Sequence, residues 1–173
     1  RSLPTKFNKE GETTTANLVG KAFCDNYQEV NIEKTYQVLL GDLYGYECTL
    51  GFEKPQPTAL TNGNIQARLR MLYLYNLAGM YKGIVMDTDN LTENNLGYFT
   101  IHGDIGDFNP IGGLWKTEVF KLAEYLIDFY RMTGQIDKGI AMFNSWSLKP
   151  TAGLGITNDD LEDAVMKIGA III

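Results

Sequence analysis

The glycine-rich stretch GYFTIHGDIGDFNPIG, residues 97–112, concentrates residue types that could form a ligand-binding site. It contains four glycines, two aspartates, two adjacent aromatic residues and the only histidine of the chain. Glycine permits backbone conformations with positive φ and lets the main chain approach a ligand closely, whereas aspartate offers hydrogen-bond acceptors and negative charge. We therefore expect these residues to form turns beside a polar ligand.

The elements before this stretch predict where such a ligand would lie. The helical pattern NIQARLRMLYLYNLAG, capped by Thr61 or Asn62, ends at Gly79 and is followed by the apolar run GIVMDT, residues 83–88. A short apolar run after a glycine is typical of a strand buried on both faces of a parallel sheet. The order indicates an α/β fold, a doubly wound parallel sheet flanked by helices, in which ligands bind beyond the carboxyl ends of the strands. The sequence Asp-Thr-Asp-Asn at 87–90 occupies that place.

Hydrophobic periodicity and capping residues predict further elements along the chain. They are a helix over residues 16–23 capped by the preceding threonines, a strand at 27–32 followed by a helix to about Leu40, a helix after Leu114 that ends at Gly134, and a helix that starts at Thr157 or Asn158. No repeat or low-complexity linker interrupts them, so residues 1–173 are expected to belong to a single domain.

The composition restricts the ligand classes. Fifteen basic and twenty-one acidic residues give a net charge of −6, which argues against a general electrostatic grip on nucleic acid or an anionic membrane. Neither cysteine belongs to a Cys/His cluster, so Cys24 and Cys48 are predicted to be buried free thiols and not zinc ligands. No apolar run reaches about 18 residues and no signal-peptide pattern is present, so we expect a cytoplasmic protein.

Arg68 lies on the apolar stripe of the predicted helix, between Ile65 and Leu72. Its aliphatic stem could pack along that stripe while the guanidinium reaches water. Alternatively, the guanidinium could bind a fixed anion. The spacing alone does not distinguish these two interpretations.

The run DTDNLTENNLGYFTIHGDIGDFNPIGGLWKTEVFKLA resembles the signature region of NAD synthetases, which are ATP-pyrophosphatase-type enzymes with an adenine-nucleotide alpha-hydrolase fold. The upstream NIQARLRM and the downstream KPTAGLG match the same family in the right order, and the similarity runs from about Leu3 to Asp163. The resemblance implies ATP-dependent amidation of nicotinic acid adenine dinucleotide to NAD through an acyl-adenylate, with release of AMP and pyrophosphate. It also implies magnesium, a homodimer, and either ammonia or glutamine as the nitrogen donor.

The resemblance implies that six residues contact ligands: Thr88, Lys116 and Thr151 for ATP, Glu93 for magnesium, and Arg68 and Asp107 for the dinucleotide. It assigns no catalytic residue. Judged by the residues alone, Glu93 could be a solvated loop carboxylate, Lys116 a surface lysine at the start of a helix, and Asp107 a turn former.

Three substitutions or shortenings set the chain apart from the family. Ile101 stands where the family has a lysine, so a substrate contact is lost or is supplied by His102. The turn between Gly103 and Asn109 is one residue shorter than usual. Asp87 replaces a glycine, which adds negative charge near the expected phosphates.

The glycine-rich pyrophosphate loop of the family, Ser-Gly-Gly-x-Asp-Ser, does not occur in this sequence. The sequence starts near what corresponds to the end of the family's second strand, so it lacks the first strand as well. The expectation is that residues 1–173 cover the domain incompletely at both ends.

Two other functions stay open. A related ATP-pyrophosphatase could act on a different carboxylate or carbonyl, which the ARLRM and GYFT motifs disfavour but Ile101 leaves open. A domain without the phosphate loop could instead be a degenerate, non-catalytic dinucleotide-binding dimerisation module. Such a module would bind the dinucleotide without releasing pyrophosphate from ATP.

Overall fold

Six α-helices are present in the computed structural model, which describes residues 1–45 and 58–148. The helices are α1 (Glu10–Phe23), α2 (Glu33–Gly45), α3 (Ala59–Tyr81), α4 (Leu91–Leu96), α5 (Lys116–Met132) and α6 (Ile136–Ser147). Four of them, α1, α2, α3 and α5, correspond to helices that the sequence predicts. The helix predicted from Thr157 or Asn158 lies outside the described residues, as do Thr151 and Cys48.

The first helix starts before the threonines that the sequence pattern proposes as its cap. Glu12 accepts a hydrogen bond from the backbone N–H of Lys9, with Oε2 and N 3.2 Å apart, and this closes the first turn of α1. Thr13–Thr15 therefore lie inside the helix, where Thr15 is buried.

Both ends of α3 lie beyond the predicted cap and stop residues. Thr58 is the N-cap, and its hydroxyl oxygen accepts from the N–H of Thr61 at 3.1 Å. The helix passes through Gly79 and ends at Tyr81 because Lys82 turns into the left-handed region, with φ of 54°. The helix therefore starts about one turn earlier and ends about half a turn later than predicted.

The best-buried apolar cluster joins the N-terminal segment to α2 and α3 through Leu3, Ile32, Tyr36 and Leu69. Phe7 packs edge-on against Tyr36, with ring centroids 6.2 Å apart. Each fully buried apolar side chain stabilises the fold by roughly 1.5–3 kcal/mol. This cluster fixes α3, the helix against which the glycine-rich stretch packs.

A second packing unit joins α1, α5 and α6. The rings of Phe23 and Tyr130 meet edge to face with centroids 5.5 Å apart. Lys138 Nζ lies 5.8 Å and 5.6 Å from these two centroids, within the range of cation–π attraction. These contacts hold α5, whose first residue is Lys116.

The predicted parallel sheet is represented by two isolated bridges within residues 1–45 and 58–148. Ser2 pairs with Glu29 and Met86 pairs with Phe108, and both pairs are parallel. The direction of pairing agrees with the predicted sheet, but no described segment forms a strand longer than one bridge. The strands predicted at 27–32 and 83–88 are therefore extended segments with one bridge each.

The segment at 83–88 is buried on one face, so the prediction of burial on both faces is wrong for the described structure. Val85 is buried, whereas Ile84 and Met86 are 63% and 52% exposed. The N–H of Val85 donates to a carboxylate oxygen of Asp107 at 2.8 Å and not to a backbone carbonyl. This side-chain acceptor interrupts the ladder of backbone hydrogen bonds that a strand requires.

Two predictions from the sequence concern the cysteines and a membrane-spanning segment. Cys24, directly after α1, is a free thiol as predicted, but it is exposed and not buried because it sits at a helix end. Among the helices of the described residues, none combines the length and the apolar character that a bilayer crossing requires.

Candidate active site

The segment that contains Val85 and Asp87 packs directly against the glycine-rich stretch. Asp107 donates its N–H to the carbonyl of Val85, and Asp87 donates its N–H to the carbonyl of Phe108, each at 2.8 Å. The N–H of Gly106 in turn donates to Asp87 Oδ2 at 3.2 Å. The two stretches singled out from the sequence therefore meet in space.

Asp107, the predicted dinucleotide ligand, is an exposed turn residue whose carboxylate binds the main chain. Its Oδ2 accepts from Val85, as described above, so the carboxylate helps to hold the turn in place. This agrees with its alternative interpretation as a turn former. A contact between Asp107 and a substrate stays a prediction.

A capping box at the start of α4 positions Glu93, the predicted magnesium ligand. Asn90 is the N-cap, and its Oδ1 accepts from the N–H groups of Thr92 and Glu93 at 3.0 Å and 3.1 Å. Glu93 Oε2 reaches back to the N–H of Asn90 at 2.9 Å. Two amides of the first helical turn thus gain partners, and the Glu93 side chain is held in one orientation.

Lys116 and Glu93 form an ion pair between the starts of α5 and α4. Lys116 Nζ lies 3.0 Å from Glu93 Oε1, and the two side chains are 26% and 18% exposed. The predicted ATP ligand and the predicted magnesium ligand are therefore in direct contact. Neither the solvated-carboxylate nor the surface-lysine interpretation fits this half-buried pair.

Two further hydrogen bonds join α4 to the start of α5. Leu91 donates its N–H to the carbonyl of Leu114 at 2.8 Å. Thr92, which is 3% exposed, accepts from the N–H of Lys116 at its hydroxyl oxygen, 3.0 Å away. Three consecutive residues, 91–93, thus bind the residues at the start of α5.

Asp89 carries an unusual carboxylate. Burial raises its pKa to about 6, and the nearby charges of Asp87, Asp104 and Glu93 act in the same direction. Its Oδ2 is buried and meets no hydrogen-bond donor within the described part of the chain. Asp87, Asp89, Glu93 and Asp104 thus form an acidic cluster. Thr88, which lies between Asp87 and Asp89 in the sequence, is exposed beside it.

Arg68 and Ile101, both predicted to lie at the dinucleotide site, are in contact. Arg68 donates from Nε to the carbonyl of Ile101 at 3.1 Å. The Ile101 side chain is 60% exposed, and the neighbouring His102 is exposed with a φ of 62°. The guanidinium is thus oriented by the turn, which is compatible with anion binding and with a solvated head.

The second arginine of the ARLRM motif is structural. Arg70 donates from Nε to the carbonyl of Leu3 at 3.1 Å and from Nη2 to Asn8 Oδ1 at 3.2 Å. Burial lowers its pKa, although Asp104 and Glu12 oppose that shift. Arg70 thereby ties α3 to the N-terminal segment.

Thr100 anchors the glycine-rich stretch to α3, a role that the sequence reasoning missed. Its hydroxyl donates to Asn64 Oδ1 at 2.8 Å, and its N–H donates to Asp104 Oδ2 at 2.6 Å. A Cβ atom on Gly103 would lie 2.9 Å from the Cβ of Ala67, so only glycine allows this approach. An isolated threonine gives no sequence signal for such a contact.

Tyr98 lies close to the acidic cluster. Burial raises the pKa of its hydroxyl, and the charges of Glu93 and Asp104 raise it further. Tyr98 is exposed, at 39%, whereas Phe99 is more buried. Of the two aromatic residues, Tyr98 is therefore the one that could offer a face to a heterocycle.

Within the described ranges, no group of three or more His, Cys, Asp or Glu side chains is arranged to bind a metal ion. Proteins commonly bind magnesium through one or two carboxylates together with substrate phosphates. Glu93 supplies a hard oxygen of that kind, with its charge balanced by Lys116.

Comparison with known proteins identifies the family. Residues 2–164 match the family model described as NAD synthase, so the chain belongs to the NAD synthase family. An NH(3)-dependent NAD(+) synthetase from Carboxydothermus hydrogenoformans is 38% identical over 125 residues, which cover 72% of this chain and 49% of that protein. The chain thus spans about half the length of this curated relative.

Solved structures show the same fold. The structure of an NMN synthetase from Francisella tularensis superposes with a TM-score of 0.71 at 28% identity, covering 95% of this chain and 64% of that one. A glutamine-dependent NAD+ synthetase from Acinetobacter baumannii, in complex with adenosine diphosphate, gives a TM-score of 0.62 at 26% identity. That match covers 71% of this chain and 22% of the other.

Proposed function

We propose that this protein catalyses the ATP-dependent amidation of nicotinic acid adenine dinucleotide to NAD. The observation that carries the proposal is the contact between Glu93 and Lys116, 3.0 Å apart in a chain of the NAD synthase family. Family membership supports ATP as a substrate, as does the related synthetase solved with adenosine diphosphate. The ammonia-dependent relatives favour ammonia over glutamine as the nitrogen donor.

The reaction has two steps. A carboxylate oxygen of the nicotinate attacks the α-phosphorus of ATP, the bond between the α- and β-phosphoryl groups breaks, and pyrophosphate leaves. The lone pair of ammonia then attacks the acyl carbon, AMP leaves with the carbon–oxygen bonding pair, and a proton from nitrogen goes to solvent. Both steps depend on stabilising the negative charge of phosphate oxygens in a fixed geometry.

The Glu93–Lys116 pair provides residues suited to this task. Lys116 would pair with phosphate oxygens of ATP, and Glu93 would hold the magnesium ion, which neutralises part of the pyrophosphate charge when bound. Each of the two side chains compensates the charge of the other. Nucleotide binding would therefore exchange partners without leaving either charge buried and unpaired.

Other residues would bind the rest of the substrates. Thr88, exposed beside the acidic cluster, would contact ATP, and Thr151 would do so from outside the described residues. Arg68, oriented by the carbonyl of Ile101, would bind the dinucleotide. We further propose a doubly wound parallel sheet, which the parallel direction of both bridges and the fold of the relatives support. A homodimer is proposed from the family resemblance alone.

The proposal is tested by incubating the full-length protein with ATP, magnesium, an ammonium salt and nicotinic acid adenine dinucleotide, and quantifying NAD and AMP. We expect equal amounts of the two products, and a loss of both in Glu93→Ala. A parallel reaction contains the mononucleotide acid and measures NMN, because one structural relative is an NMN synthetase and Ile101 replaces the family's lysine. AMP without NAD would indicate another acceptor, and dinucleotide binding without AMP release would indicate a non-catalytic module.

A further inference from the structure

Thr92 lies at the centre of the connection between α4 and α5 but carries no charge and has no place among the predicted ligands. Its side chain is 3% exposed, and its hydroxyl oxygen accepts from the N–H of Lys116 at 3.0 Å. Lys116 is the first residue of α5, so its N–H has no partner within its own helix. The preceding residue, Trp115, makes no side-chain capping bond. The hydroxyl of Thr92 therefore caps α5 from another helix.

This bond sets the position from which Lys116 reaches Glu93. A lysine side chain has a flexible four-carbon stem, so its ammonium group is located only as well as its backbone. Thr92 and Glu93 are adjacent in α4, and they bind the N–H and the Nζ of the same lysine. The backbone bond and the ion pair thus fix both ends of Lys116 to one helical turn.

We propose that Thr92 is a positioning residue that holds Lys116 at the distance from Glu93 that the reaction requires. This inference rests on the proposed function, in which Lys116 contacts ATP and Glu93 contacts magnesium. A displacement of about 1 Å in such a group can lower a rate about 100-fold. Leu91 makes a parallel connection through its backbone, which no side-chain substitution removes, so Thr92 is the point at which the connection can be altered.

The test compares Thr92→Val, which keeps the shape but removes the acceptor, with Thr92→Ser, which keeps the hydroxyl. In Thr92→Val we expect kcat/KM for ATP to fall about 10- to 100-fold, while KM for the dinucleotide changes less than about twofold. Thr92→Ser should retain activity within about threefold of the wild type. A purely structural role would lower the active fraction and leave both KM values unchanged.

The outcomes separate this inference from the proposed function. If the wild-type protein makes no NAD, the proposed function fails first. If the wild type is active and Thr92→Val matches it, or Thr92→Ser loses as much as Thr92→Val, the hydroxyl does not position Lys116. If Thr92→Val does not fold, Thr92→Ala replaces it in the comparison with Thr92→Ser. Equal kinetics for the alanine and serine variants would then overturn the inference.

Discussion

Glu93 uses its two carboxylate oxygens for different purposes. Oε2 accepts from the N–H of Asn90 and closes the capping box of α4, whereas Oε1 lies 3.0 Å from Lys116 Nζ. One oxygen therefore serves the fold, and the other faces the group predicted to bind ATP. The two purposes can be separated by substitution.

Glu93→Gln should preserve the fold and abolish activity. Glutamine can still accept the capping hydrogen bond, but it loses the charge that binds magnesium and pairs with Lys116. We expect the rate of NAD formation to fall about 100-fold or more, and the thermal midpoint to fall moderately because Lys116 loses its half-buried partner. Steady-state assays over a range of magnesium concentrations and thermal unfolding measure the two effects.

Glu118→Gln is the matched control. Glu118 occupies the same position in α5 and accepts from the N–H of Trp115 at 2.8 Å. Because it makes no contact with Lys116 Nζ, its substitution should leave activity unchanged. Equal losses in the two variants would show that helix capping, and not the charge at the site, matters.

Gly106→Ala should destabilise the protein. A Cβ atom at Gly106 would lie 2.7 Å from the backbone nitrogen of Asp87 and 2.8 Å from the carbonyl oxygen of Val85, and main-chain atoms cannot rotate away. We expect a loss of about 1–3 kcal/mol in the free energy of unfolding, measured by urea denaturation. Gly113→Ala, where no atom lies within 4 Å of the added carbon, should be close to neutral. Equal effects of the two substitutions would contradict the close approach.

Asp89→Asn should stabilise the protein in a pH-dependent manner. The pKa of Asp89 is raised to about 6 from an ordinary value of 3.8, so the folded state disfavours the ionised form. As the pH falls from above 6 towards 4, the folded protein takes up a proton that the unfolded chain does not, and this group makes folding more favourable. The asparagine variant should therefore be more stable than the wild type at pH 7.5, and the difference should disappear near pH 4. Urea denaturation of both proteins across this range provides the comparison, and a difference that does not vary with pH would refute the assignment.

Local signals predicted the helices better than the sheet. Hydrophobic periodicity and capping residues predicted α1, α2, α3 and α5, whereas α4 and α6 were not predicted, although Asn90-Leu91-Thr92-Glu93 at the start of α4 fits a capping box. A strand at 83–88 depends on neighbours along the whole segment. In this segment the carboxylate of Asp107 accepts a hydrogen bond from the N–H of Val85, and the apolar pattern of the sequence does not predict such a contact.

At the candidate site, too, the sequence predicted residues but not the contacts between them. The resemblance selected Glu93 and Lys116, which are 23 positions apart, yet it did not predict that they would form an ion pair. Thr92 and Thr100 gave no signal because a threonine that caps another helix or anchors a turn looks like any other threonine. Such contacts depend on tertiary geometry, which no local pattern contains.

Ile101→Lys tests which substrate the site is suited to. Ile101 is 60% exposed and accepts a hydrogen bond from Arg68 through its carbonyl oxygen, so a lysine side chain fits without disturbing that contact. If the substrate is the anionic dinucleotide, an added ammonium group should lower its KM about 2- to 5-fold, since an exposed charge contact is worth up to about 1 kcal/mol. KM for ATP should stay constant.

Ile105→Lys, at an exposed apolar position in the same glycine-rich stretch, is the control and should change neither KM value. A higher KM for the dinucleotide in Ile101→Lys would instead mean that the isoleucine contacts an apolar part of the substrate, and the mononucleotide reaction would then become the reference for this site.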